Sequence, residues 1–174
     1  QIEPLVENKR IVFTNMRAVH GPAIADHAFG MLLTLTRNLR FYDRAQAKAV
    51  WTDASPAARS TSLHGKTMLV VGIGGIGEEI AQRAHGFGMR VIATRRSDAP
   101  APEYVERVGK PDDLLAMLPE ADVVAVCVPL TAETEGLFDA EALAAIKDGS
   151  YLINLARGRI VNTDALLDAL RNGK

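Results

Sequence analysis

Thr67-Met68-Leu69-Val70-Val71-Gly72 runs straight into Ile73-Gly74-Gly75-Ile76-Gly77. Met68 to Val71 is an unbroken apolar stretch, so both faces of the strand it predicts must be covered. Strands of that kind belong to parallel sheets layered between helices. The glycines at 72, 74 and 77 have the spacing G-x-G-x-x-G, and the residues from Glu78 to His85 predict a helix directly behind them. Gly72 permits a tight turn, Gly74 lets the backbone approach a pyrophosphate, and Gly77 lets the helix pack closely on the strand. The free N–H groups at the positive helix end then face the phosphates. Glycines at this spacing also serve plain turns and close packing. The strand–turn–helix–strand setting favours dinucleotide binding.

Further elements continue the alternation. Strands are expected at 90–94, 104–108, 122–128 and 151–155, and helices at 111–118, 140–147 and 164–171. The fold class is therefore α/β, a Rossmann-type doubly wound parallel sheet flanked by helices. Upstream, Ile11 to Asn15 reads as a short buried strand, and a long helix is expected from Pro22 to about Ala49. Residues 1–50 form an interdomain strand and linking helix, 51–62 a small-residue loop, and 63–174 the dinucleotide-binding domain. The chain begins with Gln-Ile and stops just past a helix, so it is read as a piece of a longer protein whose Rossmann unit is incomplete at its carboxyl end.

Composition narrows the ligand classes. The 174 residues are 48% hydrophobic, enough for a substantial core, and Lys+Arg 20 against Asp+Glu 21 leaves a net charge of −1. That balance offers no footprint for nucleic acid or an acidic membrane surface, so any anion site must be local. The single Cys127 excludes an internal disulfide and suits a reducing cytoplasm. No apolar run reaches membrane-spanning length, no signal-peptide pattern is present, and no metal site is expected.

Ligands bind outside the carboxyl ends of the strands in open parallel sheets. At the end of the second strand, where NAD-binding units carry an acid for the ribose hydroxyls, stand Thr94, Arg95 and Arg96. An arginine fork there suits a 2′-phosphate, which favours NADP over NAD. The alternative is a solvated surface pair, or pairing with Asp98 or Glu103. Cys127-Val128-Pro129-Leu130-Thr131 follows another apolar strand, with Thr131 placed to cap a short helical turn. Cys127 has no histidine to activate it and reads as a packed thiol. Arg157, between Ala156 and Gly158, is a permanent cation suited to a carboxylate or carbonyl, or alternatively to a pair with Asp164. His20, His27, His64 and His85 read as surface, capping or core residues.

Together these segments resemble the D-isomer-specific 2-hydroxyacid dehydrogenases, in the glyoxylate/hydroxypyruvate reductase branch. The resemblance is carried by Leu63 to Thr67 leading into Gly72–Gly77, His85 to Val91, Val128-Pro129-Leu130-Thr131-Ala132-Glu133-Thr134, Asn154 to Val161, and His20 to His27. It implies that Gly74, Gly75 and Ile76 contact the pyrophosphate, and that Thr94, Arg95 and Arg96 surround the adenine ribose. Val128 and Pro129 would line the adenosine side, and Leu155 and Ala156 the nicotinamide ribose. Arg157 would bind a 2-oxo acid beside the nicotinamide, for hydride transfer at C2. Asn162-Thr163-Asp164 departs from the family's usual continuation. The family's histidine acid and its glutamate fall downstream of Lys174, so this stretch alone is expected to have no turnover. The family also implies a homodimer built on the linking helix. An NAD-using phosphoglycerate- or formate-type dehydrogenase, or a dinucleotide-sensing corepressor on the same fold, remains an alternative.

Overall fold

The computed structural model describes residues 19–52 and 60–174. The strand expected at 11–15 and the middle of the expected loop, 53–59, lie outside the described residues. The sheet is wholly parallel: β1 (Thr67–Val71), β2 (Arg90–Thr94), β3 (Arg107–Gly109), β4 (Val123–Val126) and β5 (Tyr151–Asn154). Their order across the sheet is β3-β2-β1-β4-β5. This is the doubly wound arrangement, whose order reverses between β1 and β4 and opens a crevice at their carboxyl ends. Val71 is in register with both Thr94 and Val126, so three strands end level at that crevice.

β1 is buried from end to end. Met68 and Val70 face one core cluster while Leu69 and Val71 face the other. Alternate side chains of a strand point to opposite faces, so a strand covered on both sides must be apolar at every position. The first face is covered by α1 (Gly21–Thr36) and α3 (Gly75–Gly86). The second is covered by α4 (Leu114–Met117), α5 (Ala140–Ala145) and flanking residues of α6 (Thr163–Arg171).

Small residues let α1 lie close on α3: Ala25 and Ala28 share a buried cluster with Ala81 and Ala84, and Phe29 stacks on Phe87 with ring centroids 5.1 Å apart. Arg83 fastens the pair, reaching Asp26 at 2.7 Å, Glu79 at 2.6 Å and the Pro22 carbonyl at 3.3 Å.

Local structure departs from expectation at three places. The single long helix is two, because Asn38 adopts the left-handed conformation (φ 54°) and α2 (Leu39–Ala47) starts a new course. Asparagine is among the few non-glycine residues that tolerate this region. The strand expected at 104–108 forms later, at Arg107–Gly109, because a turn closed by the Val105 N–H on the Pro102 carbonyl precedes it. The helix expected at 111–118 is a short α4 between two 3-10 turns, ending where Pro119 can donate no backbone hydrogen bond.

Candidate dinucleotide site

The glycine turn sits at the crevice. Gly72 has φ 95°, and a Cβ there would stand 2.6 Å from Val128 Cγ1, so the loops after β1 and β4 touch only because the side chain is missing. A Cβ on Gly77 would stand 2.2 Å from the Gly72 carbonyl oxygen, which sets how closely α3 approaches β1. Gly74 is different: a Cβ there would meet nothing within 4 Å, so its backbone borders open space. The turn is held on β2 by the Gly72 and Ile73 N–H groups, each donating to the Thr94 carbonyl at 3.1 Å. Gly74 caps α3 with no side-chain hydrogen bond, and the first N–H groups of a helix have no partner within it. The geometry suits a pyrophosphate, with open space, uncapped donors and a positive helix end at one point.

At the far side of β2, Thr94 is buried and the two arginines part company. Arg95 is half-buried; its N–H donates to the Gly109 carbonyl at 2.9 Å, its guanidinium donates to the Ala99 carbonyl, and its Nε is buried without a partner among the described residues. Arg96 is exposed. Neither arginine forms an ion pair among the described residues; Asp98 pairs instead with Lys110. That pairing holds the Asp98 carboxyl below its ordinary range, through the Lys110 hydrogen bond first, then the charges of Lys110 and Arg95.

The loop after β4 faces Arg96 from across the crevice. Its organiser is Thr134, whose hydroxyl donates to the Pro129 carbonyl at 2.6 Å and accepts from the Thr131 N–H at 2.8 Å. Sequence alone points to Thr131 as the cap; Thr134 does more of the holding. The Glu133 carboxyl is held low mainly by the Thr131 hydroxyl, with a smaller contribution from the positive charge of Arg96. Val128 is half-buried and Pro129 exposed at this rim. Burial pushes the Cys127 thiol up to about 12, which leaves it un-ionised and inert at neutral pH.

Beyond β5, Leu155 and Ala156 are half-buried and Arg157 is exposed. Asn154 shapes the turn: its side chain accepts from the Ala156 N–H at 3.0 Å and donates to the Arg157 carbonyl at 2.9 Å. Among the described residues the Arg157 side chain makes one hydrogen bond, to the Ala156 carbonyl at 2.9 Å, and no pair with Asp164. The neighbouring Arg159 ties this loop to the previous one through Glu135 at 2.5 Å. Asn162 accepts from the Ala165 N–H at 3.1 Å as the N-cap of α6, which accounts for an asparagine at that position.

Two of the histidines stand elsewhere, while His20 precedes α1, whose Gly21 lies close to the Gly75 carbonyl. His64 precedes β1 and lies against Gly88 at the amino edge, and His85 sits 6.2 Å from the Tyr104 ring. A cavity of about 500 Å³ runs between α5, α6 and β5, but its lining is mainly apolar, through Leu143, Ile146, Leu152, Val161 and Leu166. The uncapped N–H donors of α3 are at the glycine turn, so the crevice is the better candidate. Among the described residues no cluster of His, Cys, Asp and Glu could hold a metal, and no helix is long and apolar enough to cross a membrane.

Comparison with known proteins identifies the family and fold to which the chain is similar. Residues 29–174 match the model of the D-isomer specific 2-hydroxyacid dehydrogenase NAD binding domain. Glyoxylate/hydroxypyruvate reductase B of Salmonella agona is 38% identical over 170 residues, covering 95% of this chain and 52% of that protein. The chain spans about half the length of the curated relatives it matches. Among solved structures, D-lactate dehydrogenase from Aquifex aeolicus, complexed with NAD and lactic acid, superposes with TM-score 0.78 at 34% identity, over 90% of this chain and 46% of that one. An acyclic imino acid reductase in complex with NADPH and D-Arg also gives 0.78, at 25% identity, over 88% and 48%.

Proposed function

Because this chain belongs to the D-isomer-specific 2-hydroxyacid dehydrogenase family and spans its NAD-binding domain, we propose that the intact protein is an NADP-preferring oxidoreductase. Its substrate would be a small 2-oxo or 2-hydroxy acid of the glyoxylate or hydroxypyruvate kind. The observation that carries this reading is the pair of exposed guanidiniums at the crevice, Arg96 and Arg157, neither in an ion pair among the described residues.

The N–H groups of Gly75 and Ile76 hold the pyrophosphate at the start of α3, with the backbone of Gly74, whose own N–H donates to the Gly72 carbonyl, bordering it. Arg96, seconded by Arg95 and Thr94, takes the 2′-phosphate where NAD-binding units carry an acid, and Asp98, the carboxylate on the loop after β2, is paired with Lys110. Val128 and Pro129 line the adenosine side; Leu155 and Ala156 border the nicotinamide ribose. When bound, the dinucleotide supplies or accepts the hydride at the substrate's C2. Arg157 holds the substrate carboxylate and polarises the C2 carbonyl, stabilising negative charge on its oxygen. It does not deliver the proton, a role to which a guanidinium is chemically unsuited. The Salmonella relative's name and the lactic acid in the Aquifex complex support the substrate class. The imino acid reductase complex supports NADPH on this fold, while the Aquifex complex carries NAD.

Met31, Leu35, Leu39 and Tyr42 remain exposed along α1 and α2 although their neighbours Phe29 and Leu32 are buried. This stripe is the surface on which two copies would pair, and a homodimer at micromolar concentration follows; a monomeric mass by light scattering contradicts it. The half-buried free thiol of Cys127 fits the reducing cytoplasm. Initial rates of the intact protein with glyoxylate, hydroxypyruvate, pyruvate and phenylpyruvate test the activity. Turnover of the first two with NADPH is expected, and failure on all four refutes the reading.

A further inference from the structure

We propose that Lys110 is a specificity-determining residue for the cofactor's 2′-phosphate, a third cation whose partner Asp98 gives way when the phosphate arrives. This rests on the NADP reading above and names a residue for it that lies outside the arginine pair.

Pairing of β2 with β3 brings the lysine to the site. The Arg95 N–H donates to the Gly109 carbonyl at 2.9 Å, so the residue after Gly109 emerges beside Arg95 and Arg96. The Lys110 backbone is then fixed by its N–H donating to Asp113 Oδ2 at 2.7 Å, and its Nζ lies 3.5 Å from the Arg96 carbonyl. The lysine's one ion-pair partner among the described residues is Asp98, whose side chain is 93% exposed on the loop after β2. The charge of Arg95 also acts on that carboxylate. An anion thus already stands at Lys110, within range of the Arg95 charge, on an exposed side chain.

A phosphate is the better anion for this place. It carries up to two charges and three acceptor oxygens, against one charge and two oxygens for a carboxylate, and charge-assisted bonds strengthen accordingly. The free 2′-hydroxyl of NADH carries no charge with which to displace Asp98. Lys110 should therefore discriminate between the two cofactors without affecting what they share.

The test measures dissociation constants of the intact protein for NADPH, NADH, adenosine 2′,5′-bisphosphate and 5′-AMP, with wild type, Lys110→Met and Lys110→Arg. Lys110→Met should weaken NADPH and the bisphosphate by roughly three- to tenfold, the range of a partly exposed charge pair. NADH and 5′-AMP should bind as before, which also shows that the variant is folded. Lys110→Arg should retain most of the preference. Equal weakening of NADPH and NADH, or none of either, overturns the proposal while a wild-type preference for NADPH leaves the NADP reading standing. A wild type that binds both cofactors alike removes the NADP reading, and this inference with it.

Discussion

The two edges of the sheet treat charge in opposite ways. At the amino edge, the cations that begin the strands are paired. Asp122 is met by Lys147 at 2.8 Å and Lys66 at 3.5 Å, and also accepts from the Thr67 N–H at 2.9 Å. Arg90 joins Glu106 and Glu120, and Arg107 joins Glu120 as well. At the carboxyl edge, Arg96 and Arg157 form no ion pair among the described residues, and Lys110 is paired with one exposed aspartate. The amino edge uses its charges to fasten strand starts together, so they are already satisfied. The carboxyl edge leaves positive charge unspent beside an uncapped helix, which is the condition an anionic ligand needs.

That contrast can be broken by substitution. The largest effect should come from Arg157→Ala in the intact enzyme: kcat/KM for a 2-oxo acid falls by about 10²–10³, as when an oxyanion donor is removed. Its melting temperature should hardly move, because the side chain is exposed and bonded to one neighbouring carbonyl. Gly77→Ala should come next, forcing a Cβ to 2.2 Å from the Gly72 carbonyl and lowering melting temperature and dinucleotide affinity together.

Asp122→Ala should do the reverse of Arg157→Ala. Losing the acceptor of the Thr67 N–H and of two lysines costs about 1–3 kcal/mol of stability in denaturant titration. Dinucleotide affinity of the folded variant should be unchanged.

The same group predicts a pH dependence. Burial alone would raise the Asp122 carboxyl, but the Lys147 and Thr67 hydrogen bonds and the two lysine charges outweigh it, and the net shift is downward. A carboxylate whose native pKa is depressed stabilises the fold above its unfolded value of ~3.9, and that contribution is lost as pH falls through the lower native value. Acid unfolding curves should therefore steepen below about pH 4 in the wild type and flatten in Asp122→Asn. The smallest effect concerns Cys127, which should resist thiol reagents at pH 8 in the native protein and react on unfolding.

Much of this was legible in the sequence because backbone demands leave chemical marks. Gly72 and Gly77 stand where a side chain would collide, and the apolar run of β1 records burial on two faces. Arg157 stood out as a cation at the end of an apolar strand. The break at Asn38 was not legible, since an asparagine inside an apolar periodicity reads as merely neutral to helix. Arg95 and Arg96 are equivalent as letters, and packing alone sends one guanidinium to the Ala99 carbonyl and leaves the other exposed. Lys110 lies more than a dozen residues away, and β2–β3 pairing is what joins it to the site. Asn154 and Thr134 hold loops through hydrogen bonds whose geometry appears once the chain is folded.

The central claim is that Arg96 and Arg157 read the ligand and do not hold the fold. Its most direct test is the ratio of NADH to NADPH dissociation constants in wild type and Arg96→Ala, measured at low ionic strength beside each protein's melting temperature. A wild-type ratio of roughly ten or more that falls toward unity in Arg96→Ala, with the melting temperature unchanged, is the expected result. A wild-type ratio near one, or a variant that loses stability and binds both cofactors equally less well, would contradict it.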